Sequence, residues 1–210
     1  MKYLITLLLL VNFNLGFSQD YKFNLLTKYI VLQDDLEWEK VVYSNVDDSN
    51  YFLLLNKTEY ENLAYLTDLK NKVVHYFHFI ENKKNGEIYF IFNFIKSEKL
   101  KPVSLTSNYR FKFEIIKEDS LFKTIKMTGY KNKKMTKAVG ISELKVKKHS
   151  KNLFPLYRFS YMHLFEYRTD IDLGENGIVE SSKYIGERKF ECHLAYYKEI
   201  ALVLKMKKNK

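Results

Sequence analysis

One cysteine, two prolines, seven glycines and a single tryptophan are spread over 210 residues. Cys192 alone cannot close an intramolecular disulfide, so the fold must be held by apolar burial in whatever compartment it occupies. The glycines stand singly, which excludes a glycine-rich phosphate loop, and no Gly-x-Ser-x-Gly elbow presents a serine nucleophile. So little proline and glycine also leaves no linker-like tract, and no internal repeat is evident. Arginine is scarce: only Arg110, Arg158, Arg168 and Arg188 stand among 35 basic residues. Phosphate recognition favours the rigid, bidentate guanidinium fork, so specific nucleic-acid binding is not expected.

A membrane-spanning run is missing as well. The apolar stretch from Tyr3 to Val11 falls short of the roughly 20 residues a bilayer requires. It follows Lys2 and precedes Gly16-Phe17-Ser18, small residues at the −3 and −1 places of a signal-peptidase site. The spacing predicts a signal peptide over 1–18 and an exported, periplasmic or extracellular chain with no transmembrane segment of its own. Residues 19–210 then form a single antiparallel β domain, a length able to bury a sizeable core.

What is abundant is aromatic: 17 tyrosines, 16 phenylalanines and the one tryptophan. Charge is unevenly placed. Counting Lys and Arg against Asp and Glu, residues 19–95 carry 8 and 12, residues 96–151 carry 16 and 5, and residues 152–210 carry 10 and 8. The basic excess therefore sits in the middle segment, at Lys123, Lys126, Lys131, Lys133, Lys134, Lys145, Lys147 and Lys148 among others. Such a surface suits an anionic envelope component, although lysines of this kind also serve simply as a solvated face.

The chain reads as a succession of strands at 37–44, 50–56, 62–69, 73–80, 87–95, 109–116, 121–130, 138–147, 157–169, 177–185 and 189–206. Alternation is cleanest where Tyr109, Phe111, Phe113 and Ile115 interleave with Arg110, Lys112 and Glu114, which predicts one dry and one wet face. Segment 57–69 divides evenly between a strand and a short helix capped by Thr58 and Glu61. The expected fold is all-β, an antiparallel curved sheet in the form of a half-barrel or a sandwich, with room for one short helix.

Residues 73–95, two aromatic runs around Asn85-Gly86, read as a hairpin. Phe90, Phe92 and Phe94 share one face with Ile88, while Tyr89, Ile91 and Ile95 share the other. Apolar residues on both faces predict a central hairpin covered on both sides. Candidate ligand-lining residues are Phe77, Phe79, Phe90, Phe92 and Phe94, with His75 beside them. Ordinary core packing is the plainer role for the same rings.

Chemistry has few footholds. His75 and His78 lie three apart, so on a strand they face opposite ways and cannot share a metal. His149, His163 and His193 are isolated in sequence, and neither metal nor cofactor is expected. Cys192 is expected to pack as a small hydrophobe. Glu166, Asp170, Asp172 and Glu175 are the one carboxylate cluster with potential for acid/base work, although "GENG" reads as an exposed turn.

The runs "SNYFLLLN", "AYLTDLKNKVVHYF" and "GEIYFIFNF" make short apolar strands in close succession. In this they resemble exported β-rich proteins of Gram-negative bacteria and are similar to the periplasmic lipoprotein-carrier group. That resemblance implies a curved antiparallel sheet wrapped around a helical lid and an apolar cavity, and it carries over no functional residue. The sequence thus favours a non-enzymatic binder of a lipid or amphiphile in the concavity of a sheet. The alternatives are a lysine-faced envelope interaction module and an enzyme with dispersed catalytic groups.

Overall fold

The structure, a computed structural model, describes residues 19–84, 87–101, 107–187 and 189–206. Of Lys84, Glu87 and Ile88 it describes the backbone alone. The signal peptide expected at 1–18 and the turn expected at Asn85-Gly86 lie outside these residues.

Among the described residues, eleven antiparallel strands and one helix follow in the order β1 (Gln19–Gln33), β2 (Leu36–Asn45), β3 (Asp48–Lys57), β4 (Asn62–Asp68), β5 (Val73–Lys84), β6 (Glu87–Lys99), β7 (Arg110–Glu118), β8 (Phe122–Tyr130), β9 (Ala138–Lys147), α1 (Phe154–Tyr161), β10 (Ile178–Tyr184) and β11 (Phe190–Met206). They form one open sheet ordered β6-β5-β4-β3-β2-β1-β11-β10-β9-β8-β7. Two meanders, β1–β6 and β7–β11, are thus joined side by side where the long strands β1 and β11 pair.

The first meander curls on itself. Strands β2 and β6 are four steps apart, about 19 Å in a flat sheet at ~4.8 Å per step. Yet the Tyr43 ring on β2 lies 6.4 Å from Phe90 and 6.5 Å from Phe92 on β6. The interior of this half-barrel is a core of Tyr21, Phe23, Tyr43, Leu53, Ala64, Leu66, Phe77 and Phe79, closed by Leu204 from β11. Register shifts between β1 and β11 at Phe23/Leu25 and Lys28/Tyr29 each place an extra residue on β11. Bulges of this kind raise the local twist, and the two ends of the pair serve different cores. Tyr21 and Leu204 point into the half-barrel, whereas Tyr29, Val31 and Cys192 pack under the helix.

The helix covers the opposite face of the sheet. Pro155 in its first turn is preorganised for helical φ, and Asn152 Oδ1 accepts the Phe154 N–H at 3.0 Å. Its side chains divide among three cores: Phe154 and Tyr157 with β8–β11, Leu156 with Leu25 and Ile178, and Phe159 with Val42 and Phe52. This corrects the strand expected at 157–169. A short helix buried on several sides has no polar stripe, so its apolar run mimics a buried strand.

One reading left open resolves as strand, and one expectation changes. Residues 62–68 are strand β4, and Thr58 Oγ1 accepts the Tyr60 and Glu61 N–H groups at 3.3 and 3.1 Å in a tight turn rather than at a helix start. The 73–95 hairpin is at the rim: β6 is an edge strand. One of its faces turns into the half-barrel, while Tyr89, Ile91 and Ile95 on the other are 46%, 46% and 41% exposed.

Candidate functional site

Between the outer face of β1–β5 and the end of the helix lies a cleft of about 630 Å³. Its floor follows from strand parity. Trp38 and Lys40 on β2, Phe52 and Leu54 on β3, Tyr65 and Thr67 on β4, and Val74 and Tyr76 on β5 all point away from the half-barrel. Its wall is Phe159, Ser160, Tyr161, His163, Glu166 and Tyr167, where the helix ends and the chain turns back. Phe190 on β11 closes one end.

Ring packing makes the cleft rigid. Phe159 stacks on Phe52 with centroids 4.1 Å apart, Tyr161 lies 4.9 Å from Phe190, and Tyr65 meets Tyr76 edge-on at 5.5 Å. Desolvation, with smaller contributions from Glu166 and Tyr76, pushes the Tyr167 phenol above its ordinary pKa and keeps it neutral. The polar groups are few and incompletely paired. Glu166 Oε1 stands 3.5 Å from His163 Nδ1, whereas Glu166 Oε2 and Ser160 Oγ are buried with no hydrogen-bond partner among the described residues. An apolar cleft of several hundred Å³ holding a few convergent polar groups is the usual form of a small-molecule site.

Beneath the wall Arg158 is 1% exposed. Its Nη1 donates to Ile171 O at 2.7 Å, while Nε and Nη2 have no partner. Burial pulls its pKa down to about 10 against the opposing pull of Asp172 and Asp170. It fastens the 162–172 return to the helix.

The rings singled out in sequence come together in the half-barrel rather than in this cleft. Phe77 pairs with Phe94 and Phe79 with Phe92 across β5 and β6, and Phe90 packs on Phe79 at 5.5 Å. Phe77 and Phe79 are buried. The eight lysines scatter. Lys123 lies on the helix side and pairs with Glu175, Lys148 binds Glu118 at 2.7 Å, and Lys145 binds Glu180 at 2.5 Å. Lys126, Lys145 and Lys147 share the open face of β8 and β9, while Lys131, Lys133 and Lys134 sit in the turn at the far end of that hairpin. The carboxylates separate likewise: Asp170 pairs with Arg168 at 2.5 Å, Asp172 accepts from Asn152 at 2.7 Å, and only Glu166 reaches the cleft. Cys192 is fully buried, and burial pushes its thiol pKa far up. Among the described residues no three His, Cys, Asp or Glu side chains gather as a metal site, and no helix is long and apolar enough to cross a membrane.

A second constellation crosses the half-barrel. The Tyr21 hydroxyl donates to Asp68 Oδ2 at 2.7 Å and lies 3.3 Å from His75 Nε2, and His75 Nδ1 is 2.6 Å from Ser97 Oγ. Because Tyr21 donates to the carboxylate, its oxygen accepts from Nε2–H, and Nδ1 then accepts from Ser97. Asp68 also takes Asn71 N–H at 2.7 Å, Asn71 Nδ2 at 2.8 Å and Gln19 Nε2 at 3.0 Å. Burial raises its pKa, but these donors outweigh burial and hold it below the ordinary carboxylate value. Desolvation lowers the His75 pKa against the pull of Asp68, so the imidazole is held neutral. The chain of donors ties β1 to β4, β5 and β6.

Compared with protein-family models, with curated proteins and with solved structures, the chain matches none.

Proposed function

We propose that the chain is an exported binding protein that holds an amphiphilic small molecule in the aromatic cleft between β1–β5 and the helix. The observation that carries this reading is a cleft of about 630 Å³ walled by aromatic rings, with buried polar atoms of Glu166 and Ser160 left unpaired. The rings suit an apolar body, and Glu166 and Ser160 are among the few polar groups on the lining. The half-barrel interior is the less suited container, since its rings already fill one another's space. The lysine face is also less suited, since Lys123, Lys145 and Lys148 are neutralised by glutamates and three others stand in a distant turn. Export belongs to the same proposal through the signal-like stretch 1–18. Native mass spectrometry of protein recovered from a bacterial periplasm is the test. A stoichiometric bound amphiphile, released by solvent and rebound on addition, supports the reading. An apo mass that stays unchanged with every envelope lipid offered refutes it.

A further inference from the structure

We infer that the polar end of the ligand is cationic, an alkylammonium group seated against Glu166 and the rings beside it. This rests on the cleft being the binding site. Glu166 is the one carboxylate on the lining, and only one of its oxygens faces a partner, the imidazole of His163. The other oxygen is buried and unpaired. A buried carboxylate oxygen without a partner is costly, and a neutral donor would meet its hydrogen-bonding need but not its charge.

The surroundings discriminate further. Tyr167 follows Glu166 by one residue and shares the cleft lining with Tyr76 and Tyr65, whose rings meet edge-on at 5.5 Å. A tyrosine face carries the negative end of the ring quadrupole, which attracts a cation and most of all a weakly hydrated alkylammonium. Aromatic walls with one carboxylate therefore favour a cation and disfavour a carboxylate or phosphate head group. Lys40 is the only other fixed charge on the described lining, and among the described residues it forms no ion pair with Glu166, which leaves the carboxylate open. A dense hydrated ammonium such as a lysine side chain also gains less from the rings than a methylated one.

Trp38 is the only tryptophan and lines the cleft, so its emission reports occupancy directly. The test titrates the protein with dodecyltrimethylammonium, dodecyl maltoside and dodecanoate, each below its micellar concentration. The expected result is binding of the trimethylammonium probe about tenfold tighter than the maltoside, with dodecanoate weaker still. Glu166→Gln should erase that preference while leaving maltoside affinity within about twofold. Tyr76→Leu, which keeps the carboxylate, should reduce the preference independently and serves if Glu166→Gln fails to fold. Equal affinities for the three probes, tighter dodecanoate, or a preference unmoved in both variants overturns the inference while leaving the cleft reading standing. Binding of none of the three overturns the cleft reading along with it.

Discussion

The Tyr21 hydroxyl offers a quantitative check on how the half-barrel is closed. Tyr21 and Asp68 are 1% and 2% exposed, and their hydrogen bond spans 2.7 Å between strands that are not neighbours. A hydrogen bond to a charged group contributes about 1.5–3 kcal/mol. Asp68 retains Asn71 and Gln19 as donors when Tyr21 becomes Phe, and the His75 Nε2–H that loses its acceptor is only part-buried, so the lower end applies, about 1.5–2 kcal/mol. In a chain of this size that lowers the thermal midpoint by roughly 3–8 °C. Urea unfolding followed by circular dichroism should show the loss at an unchanged slope. The penalty must also depend on pH. Asp68 is held below its ordinary value of 3.8, so its contribution is present above that pH and is lost as the pH falls through the folded-state pKa. The variant has less of this contribution to lose, so the two stability curves should converge in acid. A penalty under about 0.5 kcal/mol at neutral pH, or one that does not shrink at all as the pH is taken far below 3.8, refutes the reasoning.

Other perturbations test other parts. His75 is held neutral, its pKa below 6.5, so stability should begin to fall as the pH drops below 6.5, and His75→Gln should flatten that first slope. Phe159→Ala removes a ring stacked on Phe52 and should cost about 3–5 kcal/mol by urea unfolding while weakening any cleft ligand. A Cβ on Gly177 would stand 2.5 Å from Val146 Cγ1 and 3.1 Å from Lys147 O, so Gly177→Ala should cost about 1–3 kcal/mol. Arg158→Met should lower the midpoint less than Arg158→Ala, because both lose the bond to Ile171 O but Met refills the volume and removes a buried cation with two unpaired nitrogens.

The sequence spoke most clearly where one rule dominated. The β7 alternation at Phe111 and Phe113 points those rings to the helix side and Lys112 to solvent, as period two requires. The strand reading starts at residue 37 and passes over an equally regular pattern, Tyr21, Phe23, Leu25, Thr27, Tyr29 and Val31, although this is β1, the central strand of the sheet. Two-sided apolarity at 87–95 suggested a central strand. It is instead an edge strand whose rings reach across a curl that no local pattern encodes. The residues 157–169 combine an aromatic helix with its return turn, and their short apolar run carries no period of its own.

The cleft was less legible still. Trp38, Phe52, Tyr76, Phe159 and Glu166 come from β2, β3, β5, the helix and the turn after it. Nothing in their sequence spacing links them until the sheet and helix are assembled. Only Glu166 was singled out beforehand, and for a cluster that the fold disperses. The Asp68–Tyr21–His75–Ser97 chain is equally scattered along the sequence.

The central claim concerns where a ligand sits, and photo-crosslinking locates it most directly. A dodecyltrimethylammonium probe with a diazirine on its chain would be bound, irradiated and mapped by peptide mass spectrometry. A ligand in the aromatic cleft would leave labels on the peptides holding Trp38, Tyr65 to Tyr76 and Phe159 to Tyr167, competed away by unlabelled probe. Competable labels concentrated on Phe90 to Phe94 would place the ligand in the half-barrel and contradict that claim.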